Sequence, residues 1–73
     1  MATNTKRAAW ARLALSTYTK ARGSEDPQTD AKDLINDLMH YLRIEFDLTV
    51  KEVEEVVTST FSNFEVEAVE DVD

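Results

Sequence analysis

Seventy-three residues, 42% hydrophobic and 32% charged, make one small domain and argue against a fully disordered chain. With no Cys there is no disulfide framework and no thiolate metal site; with one Gly and one Pro, neither a many-stranded β fold nor the usual glycine-rich phosphate cradle is expected. The net charge of −7 is unevenly placed: residues 1–22 hold Lys6, Arg7, Arg12, Lys20 and Arg22 and no acid, whereas all fifteen acids fall in residues 23–73 beside Lys32, Arg43 and Lys51.

After a short polar lead, the first helix is expected over residues 5–22, with Asn4 or Thr5 as N-cap. Trp10, Leu13, Ala14, Thr17, Tyr18 and Ala21 recur at helical spacing as its inner stripe, flanked by Leu15. Lys20 and Arg22 suit the negative end of the helix dipole, and Gly23 is the natural stop. Ser24 to Thr29, with Pro27, reads as the one clear loop.

The second helix is expected over residues 30–47, capped by Thr29 or Asp30. Leu34, Ile35, Leu38, Met39, Tyr41, Leu42 and Phe46 give it the densest apolar face in the chain. A third helix follows over residues 50–64. Its start is the strongest local signal: Thr49-Val50-Lys51-Glu52 has capping-box spacing, and Leu48 with Val53 can form the accompanying staple. Val53, Val57, Phe61 and Phe64 form its stripe, widened by Val56. The β-branched residues weaken helicity here, but a strand over Val56 to Phe61 would have no second strand to pair with. Residues 65–73 carry five acids and no base, and are expected to be a disordered acidic tail.

The expected fold is therefore all-α: a three-helix bundle over residues 1–64 and an acidic tail over 65–73. Its core would join Trp10, Leu13, Tyr18, Leu34, Leu38, Met39, Leu42, Phe46, Val53, Val57, Phe61 and Phe64. Such a core is small for a lone domain, and a homodimer burying Ile35, Ile44 or Val56 is one way to enlarge it.

The run Ala14-Leu15-Ser16-Thr17-Tyr18, then Gly23, then Asp33-Leu34-Ile35-Asn36-Asp37-Leu38-Met39-His40-Tyr41 resembles small helical proteins of unassigned function in phage and plasmid genomes. Those proteins share a first helix, a short Gly-containing loop and the pattern D-L-[LI]-x-D-L-x-H. The resemblance implies a mobile-element origin and an intracellular host setting. It brings no catalytic or binding residue.

Chemistry is scarce. Asp33, Asp37 and His40, the only histidine, fall at spacings that can place three metal ligands on one outer face of the second helix. A solvated face with two carboxylates near an imidazole is the favoured reading, because a metal site needs ligands from another element and a second shell. Glu52, Glu54 and Glu55 lie on the outer side of the third helix, without the burial that acid–base catalysis requires. There is no Ser–His–acid set and no cofactor fingerprint. No catalytic, cofactor or metal residue is assigned, and an enzyme is not expected.

Three binding readings remain. The first is a non-catalytic protein that binds a protein partner through a helical surface, as an adaptor or modulator. The second is an acidic DNA mimic that inhibits a nucleic-acid enzyme. The third is nucleic-acid binding through the basic first helix, with Trp10 and Tyr18 as stacking groups; the −12 of the remaining chain opposes it. No stretch is long and apolar enough to span a membrane, and residues 1–22 lack the apolar run of a signal peptide, so a cytoplasmic location is expected.

Overall fold

The protein's structure, a computed structural model, describes residues 3–69. Three helices follow one another: α1 (Asn4–Arg22), α2 (Pro27–Phe46) and α3 (Val50–Val69). The fold is all-α, with no strand among the described residues, and α3 runs as helix through the Val56 to Phe61 segment despite its β-branched side chains.

The caps explain where the helices start. Thr3, ahead of the expected Asn4 or Thr5, caps α1 by accepting the Lys6 amide at 3.1 Å. The Asn4 side chain instead reaches across the molecule and donates to the Glu67 carbonyl at 3.0 Å. At α2 the cap is Asp26, whose carboxylate accepts the Thr29 amide at 3.0 Å and the Thr29 hydroxyl at 2.7 Å. The helix therefore begins at Pro27, three residues before the expected start, and the loop shrinks to four residues. Proline marks a helix start here: it has no N–H to leave unpaired, and its fixed φ already suits the first turn.

Asp30, expected as a possible cap, is only 3% exposed and turns back toward the loop. Its two oxygens accept the Ser24 hydroxyl at 2.7 Å and the Glu25 amide at 2.8 Å, so the α1–α2 connection is clamped by one buried carboxylate. At α3 the capping box forms as read: the Thr49 amide donates to Glu52 at 2.9 Å and the Glu52 amide to the Thr49 hydroxyl at 3.1 Å.

α3 also runs longer than expected. Residues 65–69, assigned to a disordered tail, are helical; residues 70–73 lie outside the described residues. Contacts at this end supply what intrinsic propensity lacks. Glu67 pairs with Arg7, and its carbonyl receives Asn4.

The arrangement is open. In an up–down–up bundle the start of α1 and the end of α3 sit at opposite ends. Here Asn4 and Arg7 meet Glu67, so α1 crosses from the end of α3 to the first turns of α2. The result is that the expected core does not close. Val53, 5% exposed, is the only buried hydrophobic residue among those described. Tyr18, Leu34, Met39 and Leu42 are half-buried, while Trp10, Leu13, Leu38, Phe46, Val57, Phe61 and Phe64 are exposed, Leu13 to 70%. Ile35, Ile44 and Val56 are exposed as well.

Two turn residues have positive φ. Gly23 sits at φ 101°, ψ 157°, a region essentially reserved for glycine, with its N–H donating to the Thr19 carbonyl at 2.8 Å. Asp47 occupies the left-handed region at φ 54°, ψ 40°, and places a negative charge at the negative end of the α2 dipole. The two positions respond oppositely to substitution. Gly23→Ala should cost about 1–3 kcal/mol of backbone strain, since a methyl there meets nothing else. Asp47→Gly should gain up to about 1 kcal/mol. Thermal melts followed by circular dichroism should therefore move in opposite directions, and shifts of the same sign would contradict the cap geometry.

Candidate functional site

At about 100° per residue, the α2 wheel separates into three sectors. One carries Asp30, Asp33 and Asp37; the next Leu34, Leu38 and Leu42; the third Ile35, Met39 and Arg43. α1 lands on the acidic sector. In the leucine sector Leu34 and Leu42 are half-buried, while Leu38 between them is exposed.

Beside Leu38 an apolar cleft opens. Ile35, Leu38, Met39 and Leu42 of α2 and Val56, Val57, Phe61 and Phe64 of α3, with Thr60, line an open cleft of about 350 Å³. No charged side chain lines it. The Phe61 and Phe64 rings sit 5.9 Å apart, tilted by 35°, on the α3 wall. Met39 and Val57 also border a second hollow of about 320 Å³, so they form the ridge between the two. Sequence periodicity places all of these residues except Thr60 on the apolar stripes of α2 and α3; it carries no signal that they border an open cleft.

α1 is held by polar contacts instead. The Tyr18 hydroxyl donates to Asp37 Oδ2 at 2.5 Å, and Arg22 donates to Asp33 Oδ2 at 2.9 Å while lying 3.8 Å from Asp37. The Arg22 guanidinium also stacks over the Tyr18 ring at 5.7 Å. Removal of the half-buried phenol from water, and then its bond to Asp37, push the Tyr18 pKa up to about 12. The bond to Asp33 raises that of Arg22 further. At the far end Arg7 pairs with Glu67. Exposed pairs of this kind are worth only ~0–1 kcal/mol each, so they orient α1 more than they stabilise it.

The candidate metal face is thereby rearranged. Asp33 and Asp37, expected on a solvated outer face with His40, point to α1 and are occupied by Arg22 and Tyr18. His40, close to Asp33 on the wheel, borders the second hollow with Asn36, Arg43 and Glu54. Among the described residues no group of three potential ligands converges. Of the carboxylates considered for acid–base work, Glu52 belongs to the capping box and Glu54 borders the second hollow; Glu55 is exposed.

The basic helix is altered in a similar way. Two of its five cations, Arg7 and Arg22, are already paired with acids of this chain. Trp10, expected on the inner stripe, is 56% exposed, while Tyr18 is tied to Asp37. No helix among the described residues is long and apolar enough to cross a membrane.

The Tyr18 hydroxyl makes its bond as the neutral phenol. A folded-state pKa raised above the ordinary value of 10 means that its stabilising contribution is complete below pH 10 and is lost as pH rises through about 12. Chemical denaturation between pH 9 and about 12 should show wild-type stability falling over that window, and Tyr18→Phe should flatten this component. An unchanged slope in the variant would contradict the α1 attachment described above.

No known protein family, curated protein or solved structure matches this chain.

Proposed function

We propose that this is a small non-catalytic protein-binding protein, an adaptor or modulator, which acts through the apolar face shared by α2 and α3. The observation that carries the reading is the open cleft with no charged side chain in its lining. A contiguous exposed apolar surface of this kind on a small helical protein marks a place where another protein packs. The resemblance of the first two helices to phage and plasmid proteins supports a mobile-element origin and a cytoplasmic setting.

A second reading is an acidic mimic of nucleic acid. It is favoured by α3, where Glu54, Glu55 and Glu65 are exposed and no base lies in the last turn. Nucleic-acid binding through α1 ranks third, because Arg7 and Arg22 are engaged internally.

Salt separates the readings, since apolar contacts are nearly indifferent to ionic strength whereas contacts between exposed charges are screened. Tagged full-length protein used to capture partners from a bacterial lysate should retain its partner at roughly 0.5 M salt, where the Debye length is only a few ångströms. Leu38→Glu should abolish capture. A partner lost at high salt but indifferent to Leu38→Glu would favour the acidic mimic. Retardation of DNA by the pure protein would favour the basic helix.

A further inference from the structure

A single copy of this chain exposes more surface than a folded chain of its mass should. Its accessible area is 6172 Å² for 8.3 kDa, whereas size scaling for compact monomers gives about 4,600 Å². The excess is on the order of 1,000–1,600 Å². Permanent homodimers remove about 1,000 Å² or more from each partner. The whole-chain excess is large enough to supply such an interface.

Part of the exposed apolar surface is continuous, although Leu13, Ile44, Val50 and Val69 outside it are more exposed. Ile35, Leu38, Val56, Phe61 and Phe64 are each between about two-fifths and three-fifths exposed, and they form one continuous face. α3 depends on that face. Its six β-branched residues between Val50 and Thr60 make it a weak helix by propensity, and such a helix persists when its apolar side is buried. In a single copy only Val53 meets that condition.

We infer that the cleft between α2 and α3 is closed by the same cleft of a second copy, giving a two-fold symmetric homodimer whose joint core is the core one copy lacks. The inference rests on the protein-binding reading and names the chain itself as the occupant of the face, so a host protein would take the cleft only by displacing the second copy. A two-fold contact places a patch against its own image. A like-charged patch would oppose that arrangement; an uncharged apolar one permits it, although the whole chain carries −7. The exposed stripe of α1, Trp10 and Leu13, lies outside the cleft lining.

Sedimentation equilibrium of the full chain from about 1 to 100 µM tests this. The wild type should sediment as a dimer, and its melting temperature should rise with concentration, as mass action requires when folding and association are linked. Leu38→Glu should give a monomer, whereas Ile44→Glu, on α2 but outside the cleft lining, should stay dimeric. Where Leu38→Glu loses its helical circular dichroism signal, Leu38→Ala should instead weaken the dimer about tenfold or more.

A wild type that remains monomeric throughout, with a melting temperature independent of concentration, would overturn the inference. So would a dimer untouched by both Leu38 substitutions. A monomer that still captures a host protein through Leu38 would remove the second copy while leaving the protein-binding reading intact. A dimer whose capture of a host protein ignores Leu38 would do the reverse.

Discussion

The packing of α3 against α2 around Val53 is the interaction on which the structure depends. The two helices leave Thr49 in opposite directions, and the capping box there satisfies the amides that would otherwise be left open at the tightest turn of the chain. Val53, one turn beyond, is the only apolar residue among those described that is buried. Further from that turn, Ile35 and Leu38 of α2 and Phe61 and Phe64 of α3 remain exposed. One copy can organise this surface without burying it.

α1 is positioned by charged and polar contacts at both of its ends. Its Arg22 and Tyr18 are drawn to Asp33 and Asp37, which lie beyond the leucine sector of α2, and Arg7 is drawn to Glu67 at the end of α3. A helix anchored at both ends by these acids spans the frame and does not settle into the cleft. The uneven charge between residues 1–22 and the rest of the chain thus orients α1. It adds little stability, as exposed ion pairs generally do.

Much of this architecture was legible in the residues. The existence and type of all three helices, the Gly23 stop and the Thr49–Glu52 box follow from spacing and cap chemistry, which act locally. The start of α2 is not legible because Pro27 serves equally as a loop residue and as a first helical residue, and the Asp26–Thr29 bonds decide between them; at α1 three adjacent polar residues can each cap, and Thr3 does. Periodicity also identified the apolar stripes but not what covers them, because a stripe has the same spacing whether it meets another helix of its own chain or a second molecule. For the same reason Asp33 and Asp37 read as solvated, although they are where α1 attaches.

Amide hydrogen exchange measured against protein concentration tests the central claim most directly, because it reports which backbone is protected and by what. If the α2–α3 face is completed by contact between molecules, protection over residues 35–42 and 56–64 should rise with concentration, while α1 exchanges fast throughout. Strong protection of all three helices at the lowest concentration, unchanged on raising it, would mean that one chain closes its own core, and would contradict the account.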